Sequence, residues 1–275
     1  MLLISDLDGT LLPKGGSVSV KDKDTLAQAR LEGNLCVIAT GRSLYGVETE
    51  LEPDFPIDYL IFSSGAGIFD WKNKELIHHN SLSTEQVQTV FHQINEHEVD
   101  FTIQLSAPHS HRFYFSPRNP SNVDFHNRIE FHKDHGEPLN PQELPKSASE
   151  FIIIQSHPTT PQLFETLRNS LSPQFNVVRA TSPFDGKSLW VEILHAQSSK
   201  ATASEWLRNK HRIPIEKTFA LGNDYNDLQL LAWAGKSWVV GDAVPELLAT
   251  YPKVAPHHQS SFTEAYQCWS QELKR

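Results

Sequence analysis

Cysteine is almost absent from this chain, with 2 in 275 residues. A disulfide framework or a thiolate zinc site needs more than Cys36 and Cys268 can offer. Cys36 lies in Leu35-Cys36-Val37-Ile38, where a buried strand thiol is the plain reading, and Cys268 sits between Tyr266 and Trp269 near the end. Basic residues are also short: 24 Lys and Arg against 33 Asp and Glu leave a formal net charge of -9. So acidic a chain repels polyanions, so neither nucleic acid nor an anionic membrane is expected as a partner. A small phosphorylated substrate stays open, because a bound cation and a few local donors set the field inside a site. Long apolar runs are missing too. Met1-Leu2-Leu3-Ile4 meets an acid at Asp6 with no basic leader, so neither a signal peptide nor a membrane span is expected, and the expected location is cytoplasmic.

Histidine, by contrast, is plentiful at 14 residues. Most are scattered or paired in polar context, as in His78-His79 and His257-His258. The tightest grouping, His126, His132 and His135, falls on an expected helix and the loop after it, where a solvated polar face outweighs a transition-metal site.

Short apolar runs organise the chain. Leu2-Leu3-Ile4, Leu35 to Ala39 and Tyr59 to Phe62 read as buried strands, separated by helices over Lys21–Glu32 and Ser43–Leu51. Each strand ends in small polar residues, the pattern of a parallel α/β sheet that binds ligands at its carboxyl ends. Beyond about Ser83 the texture changes to a helix over Thr84–Glu98, paired strands at Phe101–Leu105 and His111–Phe115, and a Pro-rich polar stretch. A strand at Phe151–Gln155, a helix over Pro161–Leu171 and strands at Phe175–Ala180 and Leu189–Leu194 follow. After Lys200 the βα alternation returns, with a helix over Ala201–Lys210, a strand at Thr218–Leu221, a helix over Leu228–Ala234, a strand at Ser237–Val240 and a helix near Pro245–Ala249. The expected fold is therefore α/β: a Rossmann-like doubly wound parallel sheet core over 1–82 and 186–275, with an inserted α+β domain over 83–185.

Four polar clusters sit at the ends of the core strands: Asp6-Leu7-Asp8-Gly9-Thr10, Thr40-Gly41-Arg42, Lys200, and Asn223 through Asp227. Phosphoryl transfer from a monoester needs few parts: a carboxylate to attack phosphorus, an acid/base for the leaving oxygen and the water, and cationic groups for the phosphoryl oxygens. Residues two apart on extended backbone share a side, so Asp6 and Asp8 can divide the first two tasks, while Gly9 lets the chain turn sharply. Thr40 could donate its hydroxyl to a phosphoryl oxygen or merely cap the next helix. Lys200 could pair with Asp6 and phosphate, or be an ordinary surface lysine. The Asx-rich cluster offers the oxygen ligands magnesium prefers, or simply starts a helix. Each plain alternative is respectable alone; four in this order at strand ends are harder to set aside.

The clusters resemble the motifs of the haloacid-dehalogenase superfamily: Asp-x-Asp-x-Thr first, then Thr or Ser, Lys, and an acidic pair. Asp-Leu-Asp-Gly-Thr-Leu with Ala-Thr-Gly-Arg-Ser, and the insertion between the second and third motifs, are similar to the Cof-like and sucrose-phosphatase-like branch with its large type IIB α/β cap. The resemblance implies a phosphoric monoester hydrolase using Mg2+ on a small phosphorylated metabolite, of the sugar-phosphate kind. It implies Asp6 as nucleophile and metal ligand, and Asp8 as general acid/base that binds metal through its backbone carbonyl. Phosphate binding then falls to Thr40, Gly41, Arg42 and Lys200, and the rest of the metal site to Asn223, Asp224 and Asp227. Arg112, Arg179, Asp185 and Lys187 are candidate substrate contacts in the insertion. The sequence departs from the family pattern at Asn223, where an acid is usual, at Ala201, and at Ser64-Gly65 after the third strand. A phosphomutase, a non-catalytic metabolite binder and a structural role are the alternatives.

Overall fold

Continuous apolar runs are what a strand covered on both faces requires. Leu2, Leu3 and Ile4 are at most 1% exposed, and Cys36 to Ala39 and Leu60 to Phe62 are equally buried. A computed structural model describes residues 1–272. The first stretch of chain forms β1 (Leu2–Ser5), α1 (Val20–Leu31), β2 (Leu35–Ala39), α2 (Leu44–Glu48), β3 (Tyr59–Phe62), β4 (Gly67–Asp70) and β5 (Glu75–His79). Next come α3 (Thr84–Asn95), β6 (Phe101–Gln104), β7 (Phe113–Ser116), α4 (Val123–Phe131), β8 (Gly136–Pro138), β9 (Glu150–Gln155), α5 (Gln162–Leu171), β10 (Phe175–Thr181) and β11 (Leu189–His195). The last stretch holds α6 (Lys200–Lys210), β12 (Thr218–Gly222), α7 (Leu228–Trp233), β13 (Lys236–Val239), α8 (Pro245–Thr250) and α9 (Ser261–Glu272).

These elements divide into two units. One comprises Met1–Arg42, Glu48–His78 and the chain from Ser199 onward; the other comprises Ser43–Val47 and His79–Ser198. The first unit is a seven-stranded sheet in the order β13-β12-β1-β2-β3-β4-β5. β13, β12, β1, β2 and β3 run parallel, and β4 turns back antiparallel on β3. The chain leaves β1 toward β2 and β3 and later lays β12 and β13 on the other side. The winding therefore reverses beside β1, the place where doubly wound sheets open a crevice at their carboxyl ends.

The second unit is a six-stranded sheet in the order β10-β11-β9-β6-β7-β8. α3 starts in a capping box, with Ser83 accepting from the Gln86 N–H and the Gln86 side chain accepting from the Ser83 N–H. Its Val87, Val90, Phe91 and Ile94 recur at helical spacing and pack with Phe101, Phe151 and Ile153 of the sheet and Leu167 of α5. On the opposite face Phe125 of α4 packs with Ile152, Ile154 and Trp190.

The α/β class with an inserted α+β domain holds. The expected boundary between 185 and 186 does not: the units part at Ser198 and Ser199. β11 is hydrogen-bonded on both sides within the second sheet, to β10 and to β9, and an apolar strand does not disclose from sequence which sheet will claim it. The hairpin extension β4–β5 and helix α9 are also additions to the expected elements.

α9 has a legible reason to form. Phe262, Ala265, Tyr266 and Trp269 recur at helical spacing and are buried. Trp269 and Phe262 bring their rings to 5.5 and 5.9 Å from that of Phe219 on β12. Asp22 of α1, fully buried, accepts 2.8 Å hydrogen bonds from the Thr263 N–H and hydroxyl and so ties the start of α9 to α1. Truncating Trp269 to Ala should therefore cost about 3–5 kcal/mol of stability through lost burial and the cavity left behind. The urea midpoint of the first unit's unfolding reads this, and an unchanged midpoint would mean α9 is not part of the core.

Candidate active site

β1 delivers Asp6 to the carboxyl end of the sheet. Its main-chain N–H continues the parallel ladder to the Leu221 carbonyl of β12 at 2.9 Å, so the position is fixed against that strand. The side chain is buried at 4% exposure. Lys200, at the first position of α6, reaches it from below the helix cap: its Nζ donates to Asp6 Oδ1 and to Asp227 Oδ1, each at 2.6 Å. Ser199 and Thr202 form the capping box that starts α6 and thereby aim Lys200. Lys200 is only 2% exposed, so the surface-lysine reading is excluded.

Burial first, and the negative charge of Asp227 second, push the Asp6 carboxyl up to about 7, an effect the Lys200 ammonium offsets only in part. Lys200 itself is pushed above its ordinary range, because the two carboxylates outweigh the cost of burying its charge. The second oxygen of Asp6, Oδ2, is buried with no hydrogen-bond partner. An orphaned carboxylate oxygen of this kind is costly unless something cationic or electrophilic comes to it.

Asp227 is wholly committed. Besides Lys200, its Oδ2 accepts from the backbone N–H groups of Asn223 at 2.8 Å and Asp224 at 3.2 Å. The return of this carboxylate over the strand end requires Gly222, since a Cβ there would lie 2.7 Å from the Asp227 side chain. Asp224 in turn accepts the Asp227 N–H in a reciprocal capping pair. Of the residues expected to hold metal, Asp227 is thus the clamp of its own loop, and Asp224 spends one acceptor position on the turn. Asn223 faces the first motif: Gly9, at φ +70°, would put a Cβ 2.4 Å from Asn223 Nδ2. Gly9 therefore serves both a left-handed turn and this close approach.

Asp8 and Arg42 are brought together. Arg42 Nε donates to Asp8 Oδ2 at 2.8 Å and its Nη2 to Asp8 Oδ1 at 2.7 Å, a two-pronged pairing, while Nη1 donates to Glu50 at 2.9 Å. Arg42, expected to take phosphate, instead has its guanidinium held by two carboxylates, and Glu50 had no local signal in the sequence. Thr40 is buried and its Oγ1 accepts from the Arg42 N–H at 3.1 Å, which leaves the hydroxyl proton free to donate elsewhere. Gly41 lies in the turn between them.

The turn after β3 carries three consecutive residues in the left-handed region: Ser63 at φ 47°, Ser64 at 51° and Gly65 at 99°. Non-glycine residues pay for that conformation. It is held by the Ser63 N–H donating to the Arg42 carbonyl at 2.8 Å and the Ser64 N–H to the Thr40 carbonyl at 3.0 Å. A Cβ on Gly65 would lie 2.2 Å from the Ser199 carbonyl oxygen, so this glycine lets the β3 turn press against the cap of α6 that aims Lys200. The Ser64-Gly65 departure marks this contact. In the second unit, Arg179 lies over the Phe164 ring and Asp185 caps its own turn through Lys187 and Ser188.

The donors around Asp6 suit a hard cation. Asp6 Oδ2 lacks a partner, and Asn223 and Asp224 add further oxygens within the loop clamped by Asp227. An all-oxygen set with carboxylates is the chemistry of magnesium, not of softer metals.

A model of the haloacid dehalogenase-like hydrolases matches residues 3–261. The chain belongs to that family. The putative phosphatase YxeH of Bacillus subtilis is 25% identical over 256 residues, covering 90% of this chain and 89% of that one. Among solved structures, the HAD phosphatase BT1666 of Bacteroides thetaiotaomicron superposes with a TM-score of 0.80 at 18% identity, over 98% of this chain and 94% of that one. The subclass IIB sugar phosphatase BT4131 gives a TM-score of 0.77 at 17% identity over 98% of each chain. With named phosphatases aligned along nearly its full length, this member of the family is a phosphoric monoester hydrolase.

The raised Asp6 carboxyl makes a pH prediction. A carboxyl whose folded pKa lies above its unfolded value near 4 stabilises the fold at low pH, and that contribution is lost as pH rises through about 7. In chelator, wild type should lose stability relative to Asp6→Asn by on the order of 2–3 kcal/mol between pH 5 and 8. Paired unfolding curves at the two pH values check it; a constant difference between the proteins would show that Asp6 titrates normally.

Proposed function

We propose that this enzyme is a magnesium-dependent phosphatase of small phosphorylated metabolites, sugar phosphates foremost, working through an aspartyl-phosphate on Asp6. The observation that carries the reading is the state of Asp6: buried, with one oxygen pinned by Lys200 and the other without a partner. A carboxylate so held has one oxygen for bonding to phosphorus and loses no rotational freedom when it attacks.

Asp6 Oδ2 forms the bond to phosphorus as the bond from phosphorus to the ester oxygen breaks. Asp8 donates the proton that the departing oxygen needs, then takes one from the water that attacks the aspartyl-phosphate and releases inorganic phosphate. Arg42 holds both Asp8 oxygens in the resting site, so one of them must leave the guanidinium to carry the proton that Asp8 donates, while the other keeps the side chain in place. Thr40, with its hydroxyl proton free, donates to a phosphoryl oxygen, while Lys200 balances charge and Asp227 keeps Lys200 in place. Mg2+ would be held by Asp6, the Asp8 backbone carbonyl, Asn223 and Asp224. When bound it neutralises phosphoryl charge and lowers the cost of ionising Asp6. The family, the named phosphatase relatives and the description of BT4131 as a sugar phosphatase support the substrate class.

The test is phosphate release from a panel of sugar phosphates and an aryl phosphate, with Mg2+ and with chelator. Asp6→Asn should lower kcat by about a thousandfold or more, and Asp8→Asn by about 10²–10⁴-fold. Wild-type turnover that survives chelator, or an Asp6→Asn variant that retains activity, would overturn the mechanism. A requirement for a bisphosphate activator would make the enzyme a mutase instead.

A further inference from the structure

Histidine pairs in polar sequence look like solvated surface, and His257-His258 reads that way until the fold is formed. The turn after β13 then brings Asp242 beside them. His257 Nδ1 lies 2.5 Å from Asp242 Oδ2, and the His257 N–H donates to Asp242 Oδ1 at 3.1 Å. The two imidazole rings stand nearly perpendicular, at 82°, with centroids 5.4 Å apart. One ligand atom from each of Asp242, His257 and His258 falls within 4.8 Å of the others, and among the described residues this is the group of three that converges in this way. His126, His132 and His135 do not form such a group.

From this convergence we propose that Asp242, His257 and His258 bind a divalent transition-metal ion of the zinc class, with water completing the shell. Two imidazoles and a carboxylate are the donors such ions take in three-ligand sites, whereas magnesium disfavours imidazole. Bonds of about 2.0–2.1 Å in a tetrahedron need donor atoms about 3.4 Å apart. The Asp242–His257 pair must open slightly to reach that spacing and His258 must swing inward. All three belong to the first unit, and Asp242 and His258 are exposed, so an ion has access from solvent. His258 Nε2 lies 3.2 Å from the Gln259 side-chain nitrogen.

The backbone beneath the three residues is well braced. The Gly241 N–H donates to the Ala255 carbonyl at 3.1 Å and the Val254 N–H to the Val239 carbonyl at 2.9 Å. A side chain at Gly241 would collide with the Val254 carbonyl at 2.8 Å, so the two segments meet at backbone contact. The same turn reaches the active-site loop, because the Val244 N–H donates to the Asn223 carbonyl at 3.0 Å. An ion held here would staple the turn after β13 to the segment entering α9.

The experiment titrates Zn2+ calorimetrically into the full untagged chain with Mg2+ saturating, for wild type, His258→Ala, Asp242→Asn and Asp6→Asn. Wild type and Asp6→Asn should share one zinc-binding step that weakens by about tenfold or more in His258→Ala and Asp242→Asn. His258 is exposed, so its alanine variant keeps the test valid if Asp242→Asn disturbs the turn. Absence of that step in wild type, its persistence in His258→Ala, or its loss in Asp6→Asn alone would each overturn the proposal.

Discussion

Lys200 holds its ammonium 2.6 Å from a carboxylate oxygen of Asp6 and 2.6 Å from one of Asp227, with all three side chains almost out of contact with water. Burying three charges costs several kcal/mol per ion before pairing returns anything, so such a triad is weak evidence of stabilisation and good evidence of a constraint. Here the net charge of the triad is negative. One carboxylate is therefore undercompensated, and it is Asp6, whose free oxygen has no hydrogen bond and whose carboxyl is pushed up to about 7. The first unit thus keeps one buried carboxylate oxygen that its own residues leave unsatisfied.

Much of the surrounding structure is arranged to make that triad possible. The parallel ladder ties Asp6 to β12; a capping box fixes the first turn of α6; Gly222 clears room for Asp227 to fold back on its own loop. Gly65 lets the strained turn after β3 lie against the Ser199 backbone. The first and fourth motif clusters thus meet at Gly9, and the turn after β3 meets the cap of α6 at Gly65, both glycines where any side chain would push the neighbours apart. The second unit solves a different problem, a six-stranded sheet covered on one face by α3 and α5. On its other face burial pushes the Arg128 guanidinium down to about 10 as it lies 4.7 Å from the Trp190 ring centroid.

Local signals in the sequence were sufficient where one strand or one helix decided the matter. Leu2-Leu3-Ile4 and Leu35 to Ala39 could only be buried strands, and Val87, Val90, Phe91 and Ile94 only a helix with one wet face. Where two sheets competed for the same apolar run, as at Leu189–His195, the sequence was silent, because the periodicity of a strand does not say which neighbours will hydrogen-bond to it. α9 was not among the expected elements: Phe262, Ala265, Tyr266 and Trp269 do recur at helical spacing, but beyond two prolines, Pro252 and Pro256, in a stretch poor in other helix signals.

The sequence by itself determined the α/β class, the four polar clusters and the residue types on which phosphoryl transfer depends, because strand ends and glycine turns are written in runs of a few neighbouring residues. Only the tertiary structure decided the partners: Arg42 went to Asp8 and Glu50, Asp227 to Lys200 and its own loop, and Asp242 to a histidine fifteen residues later. Charge pairing depends on distance in space, and residues far apart along the chain acquire that distance only when the sheet is assembled.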